Sequence, residues 1–506
     1  MRTLIPVDLS LGSGRRLVGH LILRALPLFL LVAVVIPASA YSQADVTPWS
    51  KPIPLLDPAT HLESLSPRIT IDPAGKAHAV FQAWTGEGKP DRWAANTIFY
   101  TTLDESGWSI PIDIVVAPAS TILIDVSDIA STSDGYLVLA YTVAGDVTVA
   151  SAPIAGAADA RSWSTSLIDR GIRPRIAIDL ESLRWYVGYD VDNSMIRLAH
   201  SSDGGVTWSM PDTIATTNEP GTALSFGSIF LTADDSVHLT WTENSVTRSW
   251  QGVAIWHAYM SPGGDALANV RQVARSSAPG DPTLDGSMMC GGQNGMLHLF
   301  WNNGVGSATG RFHQWSADNG VTWSKTEAIF PGLSGQTERA GCATDSAGYL
   351  HYITAANGFG FSHAIIRHAV WRDGRWSNFE NLWSSDYPGE RPNLAISAGN
   401  TLHLFWDHFG EQATQVVYTS RVVDAPFITP PGFDEPAWLK PEPVPTMPPI
   451  TPVSPEEPEP EITELPKIDA DIPGRTTGLM EPIALGVLAT MLMVGSILAL
   501  FVRRRK

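Results

Sequence analysis

From about residue 49 to 424 the chain repeats one cassette, and a repeat of this length constrains the architecture more than any single motif. Each cassette opens with an apolar segment ending near Asp or Ser and turns through Gly. A strand often reading His-x-x-Trp follows, then an alternating strand, a turn and Trp-Ser. The second strand reads His78-Ala79-Val80-Phe81, His238-Leu239-Thr240-Trp241, His298-Leu299-Phe300-Trp301 and His403-Leu404-Phe405-Trp406. The closing pair recurs at Trp108-Ser109, Trp163-Ser164, Trp208-Ser209, Trp323-Ser324 and Trp376-Ser377.

Four short strands at a period of roughly 45–60 residues form a sheet with two apolar faces, which only radial stacking against neighbours buries. The expected fold is an all-β propeller of four-stranded blades. The cassettes fall at 67–111, 127–168, 173–215, 224–274, 284–330, 339–383 and 391–424, which predicts seven blades, with six as the alternative. The seventh holds only three strands. Its missing fourth matches Trp49-Ser50-Lys51-Pro52 near the N-terminus, which resembles Trp108-Ser109-Ile110-Pro111. That segment is expected to pair near Val416–Thr419, closing the ring and hiding its edges.

Composition excludes several function classes. Hydrophobic residues make up 44% and charged ones 17%, too apolar for a mostly disordered chain. The formal charge of −18 argues against a nucleic-acid partner, which needs a basic face. Two cysteines exclude a disulfide scaffold and a Cys-based zinc cluster, and no metal or cofactor is expected. Cys290 and Cys342 fall in the inner strands of adjacent cassettes. Outside the cell such a pair can oxidise, but inner strands often lie too far apart for a bridge, so two buried free thiols are the first expectation and a disulfide the alternative. The recurrent His, at one register in five cassettes, reads as a structural hydrogen-bonder.

The two ends suggest a compartment. Residues 1–40 read as a secretory signal, with basic residues, an apolar run from Ala25 to Ile36, and Ala38-Ser39-Ala40. The propeller is expected over 41–428, a Pro/Glu-rich disordered stalk over 429–480, and an apolar transmembrane helix over 481–502. Residues 503–506, Arg503-Arg504-Arg505-Lys506, form a basic tail that stays cytoplasmic. The expected location is the cell membrane, with a single C-terminal anchor and the propeller outside.

Two turns share the pattern Ser-x-Asp-x-Gly-x-Thr-Trp: Ser201, Asp203, Gly205 and Trp208 mark the first, Ser316, Asp318, Gly320 and Trp323 the second. The carboxylate caps a tight turn, Gly takes positive φ and Trp packs into the blade. These turns resemble the Asp box, or bacterial neuraminidase repeat, of the sialidase superfamily. That family places an Arg triad on the substrate carboxylate, a Tyr nucleophile helped by Glu, and an Asp acid/base. By position the resemblance implies Arg68, in Pro67-Arg68-Ile69, as a carboxylate grip and Asp91 as the acid/base. Pro174-Arg175-Ile176 repeats the Arg68 pattern.

The repeats suggest a further set. Arg173, Arg339 and Arg391 each lie six residues before Asp179, Asp345 and Ser397, where one blade crosses to the next. Three Arg converging there would hold a carboxylate or sulfate; local pairing with Glu338 and Glu390 is the structural alternative. Tyr387, in the loop leading to Glu390-Arg391, is the nucleophile candidate. These features predict a propeller that binds glycans or glycoproteins, with an active exo-sialidase or a protein-interaction scaffold as alternatives.

Overall fold

The computed structural model describes most of residues 47–433. Residues 1–46 and 434–506 lie outside the description. So do the internal stretches 58–61, 87–88, 90–92, 118–123, 180–182, 218, 263–266, 277–280, 282, 303–309, 331–333, 358–363, 383–386 and 411–412. The expected signal and transmembrane helix therefore lie outside the described residues. Among those residues no helix is long and apolar enough to cross a membrane.

Seven antiparallel sheets, each a four-stranded path and two with one extra short strand, form a seven-bladed propeller. The inner strands, in blade order, are Ser64–Ile71, Ile124–Ser131, Ile172–Ile178, Thr222–Leu231, Asp285–Gly291, Ser334–Thr344 and Gly389–Ser397. The second strands are packed on both faces by neighbouring blades. Ala77–Ala83 and Trp185–Val191 are buried along their whole length, so these segments read as nearly continuous apolar runs.

The ring closes as its repeat order requires. Ile53–Pro54 is the outer strand of blade 7, with Ile53 opposite Tyr418 and Pro54 opposite Val417. The Trp-Ser pair explains itself here. Ser109, Ser209, Ser324 and Ser377 each offer Oγ to a third-strand amide, of Thr102, His200, Trp315 and Val370, at 3.0–3.1 Å. Each also donates its own amide to the carbonyl of that same residue. Ser50 makes the identical two-point latch on Ser420, with Oγ at 3.0 Å from the amide. The closing segment is thus the same module as the other outer strands, delivered from the far end of the chain. Trp49 Nε1 and Arg421 both donate to Glu380 of blade 6, which fastens the closure to its neighbour.

The recurrent histidines are buried structural hydrogen-bonders, each linked by Nδ1 to the third strand of its own blade. His78 meets Tyr100 at 2.7 Å and His403 meets Tyr418 at 2.9 Å. His238, His298 and His351 meet a second imidazole, that of His257, His313 and His368, at 3.1, 2.9 and 3.0 Å. Burial pushes His238, His298, His368 and His403 down to about 4, and His257 to about 3. These five imidazoles, His238, His257, His298, His368 and His403, are neutral at physiological pH.

The two Ser-x-Asp turns are built alike. Asp203 Oδ1 accepts the Thr207 amide at 2.9 Å, and Asp318 Oδ1 accepts the Thr322 amide at 2.8 Å. Ser201 and Ser316 accept the amides of Gly205 and Gly320 at 2.8 and 2.9 Å. The Thr207 and Thr322 hydroxyls lead the hydrogen bonds that hold both carboxyls down at about 2. Gly205 has φ +82° and lies against Trp185, where a Cβ would sit 2.2 Å from the ring. Trp208 and Trp323 pack partly buried against the blade cores.

The cysteines correct the expectation of free thiols. Cys290 and Cys342 are joined as a disulfide between blades 5 and 6, with Cα atoms 6.4 Å apart. Gly291 and Gly292 follow Cys290, and Gly341 precedes Cys342, so bare backbone flanks the bridge on both strands.

After the last strand, residues 424–433 remain packed as a strap over the turns that join first to second strands. The Ile428 amide donates to Ala398 of blade 7 at 2.8 Å, and the Gly432 amide to Pro73 of blade 1 at 2.9 Å. Ser346 of blade 6 donates to Pro426. A Cβ on Gly135, in the corresponding turn of blade 2, would stand 2.6 Å from the Phe433 ring. The strap thus touches blades 6, 7, 1 and 2.

Candidate ligand site at the channel mouth

Every inner strand shifts register, six of them once and that of blade 6 twice, its last shift matching those of the other blades. The first residue paired again after the shift is Arg68, Asp128, Arg175, Ser228, Met288, Ala340 or Asn393, one from each blade in order. All seven line one axial cavity of about 290 Å3. The shift takes residues out of the ladder and turns this position toward the axis.

The ring also staples blade to blade. Asp128 accepts the Ile176 amide at 3.2 Å, Ser228 the Met289 amide at 2.9 Å, and Asn393 the Ile69 amide at 2.8 Å. An arginine cannot accept; between blades 1 and 2 a second-strand side chain, Gln82, accepts the Val126 amide at 2.9 Å, as Asp407 accepts that of Ser66 between blades 7 and 1. Met288 cannot accept either, and between blades 5 and 6 the disulfide holds the strands. The ring positions are therefore polar in blades 7, 1, 2, 3 and 4 and apolar in 5 and 6. Burial lifts the Asp128 carboxyl above its ordinary range, opposed by the charges of Arg175 and Arg68.

Arg68 is buried in this wall, and one of its guanidinium nitrogens donates to Pro67 O at 2.7 Å. It occupies the same ring position as Arg175, so the shared Pro-Arg-Ile pattern is a feature of the repeat.

Arg173 and Arg391 are likewise equivalent to each other. Both precede Pro, both have left-handed backbone (φ 54° and 51°), and both pair across to a fully buried aspartate. Arg173 donates Nε to Asp190 at 3.2 Å, with a second, shorter bond from Nη2. Arg391 pairs with Asp407, and its guanidinium lies 4.2 Å from the Trp93 ring centroid. Asp407 in turn accepts the Ser66 amide of blade 1 at 2.8 Å. Of the three expected anion-binding arginines, the structure places Arg173 in the cavity wall and Arg391 against Trp93. The side chain of Arg339 lies outside the description, as does Asp91. Tyr387 is not in the wall of this cavity; it packs against His408, with ring centroids 4.9 Å apart.

Beside the axial cavity, and sharing Arg173 with it, opens a second pocket of about 240 Å3 between blades 3, 4 and 5. The sequence reading missed it. Its polar lining is a network. Arg173 Nη2 donates to Asn193 at 2.9 Å and to Ser225 at 3.4 Å, and Asn244 donates to Ser225 at 2.9 Å. Its rim carries Trp250, half exposed at 50%. Ser249 and Trp250 are consecutive left-handed residues, φ 57° and 64°, which costs of order 1 kcal/mol or more each. Burial raises Asp190 to about 6, with the charge and hydrogen bonds of Arg173 opposing.

Among the described residues no group of three or more His, Cys, Asp or Glu could hold a metal ion.

No family model matches this chain, the Asp-box repeat included, and no curated protein matches it. Solved structures resemble it at low identity. A protein of unknown function from Dyadobacter fermentans is 9% identical, with 75% of this chain and 100% of that chain covered and a TM-score of 0.47. An ulvan lyase, described as a new family of polysaccharide lyase, is 12% identical over 74% of this chain and 96% of its own, with a TM-score of 0.48. The intramolecular trans-sialidase from Ruminococcus gnavus is 10% identical over 71% of this chain and 94% of its own, with a TM-score of 0.42. These likenesses concern the fold and assign no activity to this chain.

Proposed function

We propose that this chain is a surface-displayed propeller that binds glycans or glycoconjugates at its channel mouth without turning them over. The observation that carries the reading is the pair of adjoining cavities, with convergent arginine, aspartate and amide groups in their walls and an exposed tryptophan on the rim. Sugars need this combination of hydrogen-bonding groups and an aromatic face. The two Ser-x-Asp turns are taken as Asp boxes of a sialidase-type propeller. Residues 1–40 are taken as the export signal and 481–502 as the anchor. A sialidase-type hydrolase would need a nucleophile and an acid at the cavity. Tyr387 packs against His408 and is not in the cavity wall, which favours recognition over turnover.

The test is a glycan array probed with the protein, run beside a fluorogenic sialoside assay. Retention of a defined set of glycans with no sugar released is the expected result. Release of sialic acid would convert the reading to the hydrolase. Retention of no glycan would overturn it in favour of a protein-binding scaffold.

A further inference from the structure

The geometry points to the pocket between blades 3, 4 and 5 as a subsite for one uncharged pyranose ring, stacked on Trp250 and hydrogen-bonded by the Arg173, Asn193, Ser225 and Asn244 network. This rests on the glycan reading and makes it specific.

Size comes first. A cavity of about 240 Å3 is smaller than the roughly 300–1,000 Å3 of sites for drug-sized ligands, and suits a single ring. The rim comes second. An exposed indole offers an apolar, electron-rich face, and the C–H face of a pyranose is its complement. Trp250 follows a 3-10 turn, Val246–Arg248, and is held by two successive left-handed residues. Trp250 stands between the second and third strands of blade 4, whereas the repeat's packing tryptophan follows the third strand, so it is not that residue displaced by a few positions.

Charge comes third, and it separates this pocket from a carboxylate site. Arg173 is the cation in the wall, and Asp190 already engages its Nε and Nη2. Asp285, also in the wall, adds a second carboxylate and accepts the Gly252 amide at 2.8 Å. An acidic sugar would enter facing Asp285 with the arginine already spoken for. A neutral ring meets no such repulsion. Its hydroxyls can both donate and accept, which matches Asn193, Ser225 and Asn244.

The experiment uses the full chain on an array of neutral and acidic glycans, followed by calorimetric titration with the best-retained soluble oligosaccharide. Trp250→Ala, Trp250→Phe and wild type are compared, each with a thermal melt. The expected result is retention of neutral glycans, affinity lowered on the order of tenfold in Trp250→Ala, and most of it kept in Trp250→Phe. If Trp250→Ala melts lower than wild type, a Trp250→Leu variant, which keeps apolar bulk without the aromatic face, decides, with the same loss on the order of tenfold expected. Wild type that retains only acidic glycans, or a well-folded Trp250→Ala or Trp250→Leu variant that binds as tightly as wild type, would overturn this subsite while leaving glycan binding intact. Wild type that retains no glycan would overturn both.

Discussion

The two faces of the propeller use their turns differently. On one face lie the turns joining first to second and third to outer strands. There the Ser-x-Asp turns saturate their own amides, and residues 424–433 lie across the turns of four blades. On the other face lie the starts of the inner strands and the turns between second and third strands. It carries Ser66, Arg173, Arg391, Ser249 and Trp250 in left-handed backbone, and the two polar cavities. One face is committed to holding the ring shut. Left-handed residues occur in turns on both faces, Asp235, Asn319 and Ala398 among those of the first; the second face differs in gathering convergent side chains around the two cavities. If this division is real, changes on the first face should cost stability and spare binding, and changes on the second should do the reverse.

The largest effect is expected at the closure. Deleting residues 41–56 removes a ladder, the Ser50 latch and the Trp49–Glu380 bond, and should lower stability by about 3–5 kcal/mol. A truncated chain with the denaturation midpoint of the intact one would show that this strand is not what shuts the ring.

Acid should come next. The buried imidazoles have folded pKa values depressed below the ordinary 6.5. Their contribution to stability is therefore complete above about pH 6.5 and is lost as pH falls toward 4 and below. The slope approaches roughly 1.4 kcal/mol per pH unit for each imidazole that must be charged on unfolding. Denaturant titrations at pH 7, 5.5 and 4.5 should show this loss, and His298→Phe with His313→Leu should flatten it. A slope unchanged by that double variant would place the acid sensitivity elsewhere.

The strap offers a smaller effect on the same face. Phe433→Ala should cost about 1–2 kcal/mol and leave glycan retention as in wild type. A loss of retention at full stability would break the division between the faces.

The smallest effect is on the mouth. Asp190 is raised to about 6, so it gains a proton as pH falls through that value and stops neutralising Arg173. Retention of acidic glycans should then rise a few-fold between pH 7 and 5. Asp190→Asn should show the pH 5 behaviour already at pH 7. A flat profile in wild type would mean that Asp190 stays ionised against Arg173 throughout.

Much of the fold was legible because repeats expose their own logic. Trp-Ser marks the two-point latch, and finding it orphaned at residues 49–50 was enough to place the closing strand. The site was legible only in part. The Pro-Arg-Ile pattern at Arg68 and Arg175 could be read as repetition. That Asp128, Ser228 and Asn393 share its ring position could not, because a bulge changes which residue faces the axis without leaving a residue-type signature. Trp250 was invisible for a similar reason, since Ser and Trp carry no sequence mark of left-handed backbone. The cysteines misled because a strand-spacing argument ignores their neighbours. Gly291 lets Phe230 of blade 4 pack closely and Gly341 does the same for Leu394 of blade 7, and the inner strands converge toward the axis, where Cys290 and Cys342 stand 6.4 Å apart at Cα.

The strap has a mechanical consequence. Whatever the chain beyond Phe433 is fastened to, tension on it does not first peel the last strand, Thr414–Val422, from its sheet. That strand is flanked on both sides, by Thr401–Phe409 and by Ile53–Pro54. The load meets Phe433, Pro430 and Ile428 first, and passes into the turns of blades 2, 1 and 7 before it reaches the strand. Under the proposed anchoring the strap would act as a strain relief, passing a pull into several blades on the face away from the channel mouth before it reached the cavities.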